Sequence, residues 1–304
     1  LYPDTKPHLS FDDYGVCAAC NSYINRSLID WKSRKKELLN ILDKYRKSDE
    51  YDCIVPVSGG KDSTYQVLQA INLGMNPLAV VVETCDLSDI GKRNIENIKN
   101  IGVDVIQYST SKKVRATLNR AGLELVGDIS WPEHVSIFTV PAQIAVRFNI
   151  PLILWGECGQ NEYGGPAASQ QNNTLDRNWM EEFALVGLRV DDMIGFNNIE
   201  IKNLSMFVYP DDDKINAIGV TGVFLGYYLP WDGYNNKLIA QANGFESYGR
   251  PVEGHFVDYE NLDNHQAGLH EYLMYLKFGY GRATSQACID IRRGRVSRED
   301  AAKA

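Results

Sequence analysis

The sequence predicts an α/β protein built on a parallel, doubly wound β-sheet. A short apolar, β-branched stretch at residues 52–57 is typical of a buried parallel strand, and a glycine turn and a helical pattern follow it. Similar apolar stretches recur at residues 78–82, 103–108 and 151–155, with helical patterns between them. This alternation implies crossover helices on both faces of the sheet. Ligands of such sheets bind beyond the carboxyl ends of the strands.

The helices around these strands have recognisable beginnings and ends. Residues 31–48 place an apolar stripe opposite lysines and arginines, which predicts an amphipathic helix ahead of the sheet. Ser88 is expected to cap a helix that runs to about residue 100, and Ser111 to begin one that runs to about residue 121. A further helix is expected at residues 132–149, with a kink at Pro141.

The chain is expected to have three units. Residues 1–30, broken up by proline and glycine, form a small N-terminal unit, and residues 31–165 form the sheet domain. Residues 166–304 are expected to be mainly helical and to bind substrate, because strand alternation stops there. Within them a helix is predicted at 179–188, and residues 220–231 fit either a helix or a strand.

The overall composition is that of a globular protein with 44% hydrophobic residues, 23% charged residues and a net charge of −8. The acidic balance argues against a nucleic-acid partner, which usually requires a basic face. No uncharged apolar run is long enough to span a membrane, and no signal-peptide pattern opens the chain. Four of the six cysteines are scattered, as in reduced proteins. A cytoplasmic protein is therefore expected.

The most informative stretch is the loop at residues 58–64, between the first strand and its helix. Two adjacent glycines let the backbone approach a bulky anion, and the start of the helix favours negative charge. A lysine adds positive charge, and the aspartate after it suits Mg²⁺ or a helix cap. The loop reads Ser58-Gly59-Gly60-Lys61-Asp62-Ser63-Thr64.

This loop matches neither the dinucleotide fingerprint nor the Walker form, because residue 55 is valine and Asp62 follows the lysine. The remaining pattern, S-G-G-x-D-S, resembles the pyrophosphate loop of N-type ATP pyrophosphatases. Those enzymes cleave ATP between its α- and β-phosphates and adenylate a carbonyl oxygen. A glycine-rich turn without function is the alternative.

Two other segments are expected at the same edge of the sheet, at residues 83–85 and 156–165. The second contains four glycines, two acids, an amide pair and a tyrosine, which suits the wall of a polar pocket or a plain surface loop. Farther along, Lys277 and Arg282 belong to a concentration of positive charge that could bind phosphate or a sugar carboxylate. A solvated basic helix is the alternative.

Cys17 and Cys20 have the spacing of half a structural zinc site. Two more ligands are needed. His8 is close in sequence but is a single residue, whereas a second Cys-x-x-Cys ahead of Leu1 would complete the set. A chance pair and a redox-active pair are the alternatives.

Four motifs together resemble the N-acetyl sugar amidotransferases of bacterial surface-polysaccharide and flagellin-glycan pathways. The resemblance covers nearly the whole chain, and the loop alone marks only the superfamily. The motifs are Cys17-Ala-Ala-Cys20, Pro56-Val-Ser-Gly-Gly-Lys-Asp-Ser-Thr64, Trp155-Gly-Glu157 with Asn161-Glu-Tyr-Gly164, and Lys277-Phe-Gly-Tyr-Gly-Arg-Ala-Thr284.

The resemblance implies an adenine nucleotide alpha-hydrolase-like fold and a reaction that converts an acetamido group into an acetamidino group. ATP would activate the amide oxygen as an adenylate, and ammonia would displace AMP. The implied cofactors are ATP, Mg²⁺ and structural Zn²⁺. No general base is identified by the sequence. The implied roles are phosphate binding by Ser58, Gly59, Gly60, Lys61, Ser63 and Thr64; Mg²⁺ binding by Asp62; adenine and ribose binding by Val80, Val82 and Glu83; sugar binding by Glu157, Asn161, Glu162, Tyr163, Lys277 and Arg282; and catalysis by Lys61, Asp62 and Glu157.

A separate glutaminase and synthase pair is expected to supply the ammonia. An N-terminal nucleophile glutaminase would need a cysteine where Leu1 stands, and the elbow pattern G-x-C-x-G fails at Gln160. Two other functions remain open. A tRNA thiolase of the same superfamily could use Cys85 and Cys158, although the acidic charge is unfavourable for binding tRNA. A nucleotide-binding protein without turnover is the second.

Overall fold

The computed structural model describes residues 1–7, 9–47, 49–84, 86–157, 174–175 and 188–304. Within these residues the chain forms a six-stranded sheet in the order β3-β2-β1-β4-β6-β5. Strands β1, β2, β3, β4 and β6 run parallel to one another, and the edge strand β5 is antiparallel to β6. The predicted parallel α/β fold is therefore confirmed. The strands are β1 (Cys53–Val57), β2 (Pro77–Val82), β3 (Asp104–Tyr108), β4 (Leu152–Trp155), β5 (Thr174–Leu175) and β6 (Thr221–Phe224).

The direction of winding reverses beside β1. The chain proceeds from β1 outwards to β2 and β3, and then returns to place β4 on the other side of β1. At such a switch point the loops that follow neighbouring strands diverge and leave a crevice at the carboxyl edge of the sheet. This topology positions the site described below.

The helices of the first half are α1 (Ala18–Asn25), α2 (Trp31–Leu42), α3 (Lys61–Asn72), α4 (Asp89–Asn100), α5 (Lys112–Val126) and α6 (Trp131–Phe148). Those of the second half are α7 (Asp212–Ile218), α8 (Leu225–Tyr228), α9 (Gly233–Gln241), α10 (Ala267–Phe278), α11 (Arg282–Arg292) and α12 (Arg298–Lys303). Short 3₁₀ turns lie at Arg26–Leu28, Val190–Met193, Phe196–Asn198 and Ile201–Asn203.

Local sequence signals predicted the start of α4 correctly, but α5 is longer than they predicted. The Ser88 side chain accepts a hydrogen bond from the Gly91 N–H at the start of α4, as the sequence predicts. Helix α5 continues past its predicted end to Gly127, whose φ of 66° lies in the left-handed region that favours glycine. Helix α6 continues through Pro141 without interruption to Phe148.

The two faces of the sheet pack against different helices, as a doubly wound sheet requires. On one face Val55 and Val57 lie in a buried cluster with Leu38 of α2 and Val67 of α3. On the other face Ile54 and its neighbours pack against α6. Because successive strand residues point to opposite faces, the continuous apolar sequence of β1 buries both sides.

Strand alternation does not stop at residue 165, and this expectation needs correction. Strand β6 pairs in parallel with β4, and residues 220–231, which fitted a helix or a strand, form both β6 and α8. Packing against β4 decides the conformation of this short apolar stretch, since its local pattern suits either state. The unit boundaries at residues 30 and 165 stay predictions. The helix predicted at 179–188 lies, except for its last residue, outside the described residues.

None of the helices in the described parts of the chain combines the length and apolar character that crossing a membrane requires.

Candidate active site

The glycine loop joins β1 to α3 in the predicted strand–turn–helix arrangement. Gly59 has a φ of +83°, and a Cβ built there would lie 2.9 Å from the backbone nitrogen of Ile95. Any other residue at this position would therefore be strained and would collide with α4. Gly60 is the N-cap of α3 and carries no side chain to cover the first turn.

Hydrogen bonds inside the loop fix its shape. The Gly60 N–H donates to Ser58 Oγ at 3.3 Å, and the Ser63 hydroxyl donates to the Gly60 carbonyl at 3.0 Å. The Ser58 N–H donates to Ser63 Oγ at 3.3 Å. The first N–H groups of a helix have no acceptor within it, and the helix dipole favours negative charge there. The start of α3 therefore has the features that favour binding of an anion.

A cavity of about 630 Å³ lies over this loop. Its size is in the range of sites that bind small molecules and cofactors. The sequence-predicted residues that line it are Ser58, Gly59, Gly60, Lys61, Asp62, Ser63, Val80, Val82, Glu157 and Arg282. Other lining residues include Phe138, Pro141, Trp155, Tyr259, Glu260, Asn261, Met274 and Tyr280.

The wall beside the loop contains a buried ammonium between carboxylates. Lys61 Nζ lies 2.6 Å from Asp62 Oδ2 and 3.1 Å from Glu260 Oε1, and the Lys61 side chain is 7% exposed. Asn236 Nδ2 donates to the other oxygen of Asp62 at 2.8 Å. Since a buried charge is costly unless it is paired, these two carboxylates stabilise the Lys61 ammonium beside the loop.

The carboxylates of this wall ionise differently. Burial and the nearby Asp62 charge raise the pKa of Glu157 to about 7, although Lys61 opposes the shift. Burial also opposes ionisation of Glu260, but the charges of Lys61 and Arg282 outweigh it and lower the pKa of that carboxyl. At neutral pH Glu260 is therefore ionised, whereas Glu157 can take up or release a proton.

A second, much smaller space adjoins the other side of this wall. Its volume is about 20 Å³, and its lining includes Glu157, Glu260, Trp231, Tyr234 and Arg295. A space of this size holds one molecule as small as water. Glu157 lines both spaces, so a small molecule in the smaller one and a larger molecule in the cavity would both lie beside this residue.

A chain of buried polar groups continues from Glu260 towards Arg282. Gln286 Nε2 lies 3.2 Å from Glu260 Oε2 and 3.3 Å from His255 Nδ1. His255 Nε2 lies 2.9 Å from Glu271 Oε2, and Arg282 Nε donates to the other oxygen of Glu271 at 2.9 Å. These contacts hold the Arg282 side chain, which borders the cavity, against buried partners.

The segment that carries Glu260 is held over the cavity by the start of α4. The Ser88 N–H donates to the Asp263 carbonyl at 2.9 Å, and the Ser88 hydroxyl donates to the Leu262 carbonyl. A Cβ built at Gly91 would lie 2.5 Å from the Asp263 carbonyl oxygen. The close approach therefore depends on a glycine in the first turn of α4.

Three predicted site residues do not reach the cavity. The Thr64 hydroxyl is buried inside the protein and has no hydrogen-bond partner among the described residues. Glu83 accepts a hydrogen bond from Gln107 Nε2 at the neighbouring strand β3. Lys277 Nζ donates to the Val126 carbonyl at 2.8 Å on an exposed side of α10.

The predicted zinc site at Cys17 and Cys20 is not supported. Cys17 is the N-cap of α1 and Cys20 lies in its first turn, where a hydrogen bond from Cys20 lowers the pKa of Cys17 to about 5. Among the described residues, no third metal-binding side chain completes a group with these two thiols. A structural zinc site needs four ligands, and the described residues supply two of them here.

Several predicted residues lie outside the described parts of the chain. They are His8 as a zinc ligand, Asn161, Glu162 and Tyr163 as sugar-binding residues, and Cys85 and Cys158 of the thiolase alternative.

Sequence reasoning missed residues that only folding brings to the cavity. Tyr259, Glu260 and Asn261 lie in a segment with no regular element, so no strand-then-loop pattern marks them. Asn236, which holds Asp62, lies in α9, 174 residues away along the chain. The acidic character of Glu260 was visible in the sequence, but nothing there connected it with Lys61.

The comparison with protein families gives a match for the C-terminal part of the chain. Residues 252–304 match the family described as LPS biosynthesis protein WbpG-like, C-terminal domain. This region supplies Glu260, Glu271, Arg282 and Gln286. We found no significant match among curated protein sequences.

Two solved structures show a remote similarity. The NMN synthetase from Francisella tularensis is 14% identical, with a TM-score of 0.34, and the alignment covers 63% of this chain and 93% of that one. The NH3-dependent NAD synthetase from Campylobacter jejuni subsp. jejuni, in complex with the nitrate ion, is 12% identical, with a TM-score of 0.33, and the alignment covers 62% of this chain and 94% of that one.

Proposed function

We propose that the chain is an ATP-dependent ligase of lipopolysaccharide (LPS) biosynthesis. It adenylates the acetamido oxygen of an N-acetyl sugar and then exchanges the adenylated oxygen for nitrogen. The observation that carries this proposal is one cavity that joins an anion-binding glycine loop to Glu157, an acid with a pKa of about 7. The LPS assignment rests on the match of residues 252–304, which form part of the cavity wall.

The glycine loop would hold the two phosphates that ATP loses. The first residues of α3 line the cavity, where their backbone N–H groups would bind the phosphates, and Lys61 adds a positive charge beside them. On the far side Val80, Val82 and Pro141 form an apolar wall suited to the adenine ring. ATP would therefore lie across the carboxyl ends of β1 and β2.

The oxygen-rich wall fits a magnesium ion. Asp62 borders the loop, and hard cations such as Mg²⁺ prefer carboxylate oxygens together with those of substrate phosphates. Asn236 and Lys61 orient the Asp62 carboxylate by donating one hydrogen bond to each of its oxygens. Because each carboxylate oxygen has two lone pairs, acceptor sites remain that could bind the ion. When bound, Mg²⁺ neutralises the charge of the departing pyrophosphate.

The first step forms a bond between the amide oxygen of the sugar and the α-phosphorus of ATP, and it breaks the bond to the β-phosphate. Pyrophosphate leaves, and the adenylated amide carbon becomes open to attack. Arg282 would bind an anionic part of the sugar or nucleotide sugar, because Glu271 holds its side chain at the cavity. Ordered positioning of this kind supplies much of the rate of such reactions.

In the second step ammonia attacks the activated carbon, and the bond from that carbon to the AMP oxygen breaks. The attacking nitrogen carries an extra proton after it bonds, and we assign the uptake of that proton to the Glu157 carboxylate. An acid whose pKa lies near the working pH is best suited to this role. The small space behind Glu157 is large enough for ammonia. A separate glutaminase and synthase pair would supply it.

Incubation with ATP, Mg²⁺, ammonium chloride and a panel of nucleotide-linked N-acetyl sugars tests the proposal. We expect AMP, pyrophosphate and a sugar product in which mass spectrometry finds one oxygen replaced by an NH group. If no sugar in the panel yields AMP, the proposal fails and a nucleotide-binding protein without turnover is favoured.

A Glu157→Gln variant tests the assigned proton acceptor. Adenylation needs no proton transfer to this group, so exchange of labelled pyrophosphate into ATP should persist in the presence of the sugar. Amidation should fall by about 100-fold or more. Glu83→Gln is the matched control, since Glu83 also follows a strand of the sheet but bonds to Gln107 instead of lining the cavity. Equal amidation by Glu157→Gln and the parent protein would exclude the role.

A further inference from the structure

Outside the proposed active site, three side chains with metal-binding groups converge between α6 and α10. Asp128 follows Gly127 in the loop between α5 and α6, His134 lies in the first part of α6, and His270 lies in α10. His134 Nδ1 is 2.8 Å from Asp128 Oδ2, and His270 Nδ1 is 3.2 Å from Asp128 Oδ1. The two imidazole rings meet edge to face with centroids 5.1 Å apart.

The arrangement differs from an ordinary surface ion pair. One possible ligand atom from each of the three residues lies within 4.8 Å of the other two. Among the described residues, no other three His, Cys, Asp or Glu side chains come this close together. Zinc and related divalent metals prefer imidazole nitrogen and carboxylate oxygen, with bonds of about 2.0–2.2 Å. An ion bound here would replace the two hydrogen bonds between the histidines and Asp128.

The surroundings also suit a metal. The Ser130 N–H donates to Asp128 Oδ1 at 2.9 Å, which helps to orient the carboxylate. The three side chains are 36%, 20% and 25% exposed for His134, Asp128 and His270, so water can reach the cluster and complete the coordination. Neither histidine takes part in the proposed reaction.

The geometry points to a divalent transition-metal site of the zinc class at Asp128, His134 and His270. Each imidazole would bind through Nδ1, with its proton carried on Nε2, and the carboxylate would supply the third protein ligand. This site is separate from the Cys17 and Cys20 pair. It does not depend on the proposed reaction.

A metal at this position would connect two helices that line the large cavity, α6 and α10. Phe138 lies one helical turn after His134 on α6, Met274 lies one turn after His270 on α10, and both line the large cavity. Residues four apart on a helix share a face. A metal between the two histidines would therefore fix the separation of two cavity walls.

Titration with Co²⁺, followed by visible absorption, tests the site on the full chain. The protein carries Cys17→Ser and Cys20→Ser so that these thiols cannot bind the metal. We expect one equivalent of Co²⁺ to produce ligand-field bands that Zn²⁺ abolishes. His134→Gln and His270→Gln should each weaken binding by at least about tenfold. His265→Gln is the matched control, because His265 is an exposed histidine outside the cluster.

A second readout is the shift of the melting temperature when Zn²⁺ is added. A metal that binds the folded chain should raise it in the Cys17→Ser, Cys20→Ser protein and in His265→Gln, but not in His134→Gln or His270→Gln. Absence of Co²⁺ bands in the Cys17→Ser, Cys20→Ser protein overturns the inference. Equal affinity for Co²⁺ in all three histidine variants also overturns it. If one histidine variant does not fold, the other and the parent titration decide.

Discussion

The two glycines of the loop should respond differently to alanine. At Gly59 the backbone φ of +83° costs an alanine about 1–2 kcal/mol. The new Cβ would also lie 2.9 Å from Ile95 N and 3.1 Å from the carbonyl carbon of Asn94, which are backbone atoms of α4. Overpacking of this kind costs about 1–3 kcal/mol more. Gly59→Ala should therefore destabilise the fold by about 2–5 kcal/mol.

Gly60 lies in an extended conformation, with φ −70° and ψ 170°, that alanine adopts without strain. The nearest atom to a new Cβ is Ser58 Oγ at 3.3 Å, and a serine hydroxyl can rotate away. Stability should change by less than about 1 kcal/mol, since alanine also restricts the unfolded chain. The methyl group would instead occupy space where Gly60 lines the cavity, next to the proposed phosphate site.

Thermal unfolding and pyrophosphate exchange separate these two effects. In a chain of this size about 1 kcal/mol corresponds to a change of about 2 °C in the melting temperature, so Gly59→Ala should melt about 4–10 °C lower. Gly60→Ala should melt close to the parent but lose most of the exchange activity. The reasoning is refuted if both variants melt alike, or if Gly60→Ala exchanges pyrophosphate as fast as the parent.

Three further results are expected. Because the pKa of Glu157 in the fold, about 7, exceeds its ordinary 4.5, its contribution to stability is full below pH 4.5 and is lost as the pH rises through 7. Between about pH 5 and pH 8 the free energy of unfolding of the parent, measured with urea, should thus fall by up to about 3 kcal/mol relative to that of Glu157→Gln. The same pH dependence of the unfolding free energy in both proteins would contradict this. Glu271→Gln should cost about 1–3 kcal/mol in the same assay, because the buried His255 loses a charged partner; an unchanged midpoint would count against that pairing. Arg282→Met should raise the KM for the sugar by about tenfold or more while the KM for ATP stays nearly constant, whereas Lys277→Met should change neither; the reverse pattern would restore the sequence-based role of Lys277.

The local parts of the fold could be predicted because their signals lie within a few residues. The apolar sequence of β1, the glycines at 59 and 60, and the cap at Ser88 each describe a conformation that neighbouring residues impose. Local signals of this kind do not place the side chains of Thr64 and Glu83, which do not line the cavity. Being next to a loop or strand end in sequence does not specify the direction in which a side chain points.

By itself, the sequence determined the strand–turn–helix loop and the parallel sheet behind it, since backbone conformation and apolar periodicity are local properties. The tertiary structure alone decided which acids surround Lys61, how Glu271 holds Arg282 at the cavity, and which histidines meet at Asp128. These groups lie many residues apart along the chain. Their contacts arise from packing of the C-terminal segment against itself, against the start of α3 and against the loop between α5 and α6, and no short-range pattern encodes such packing.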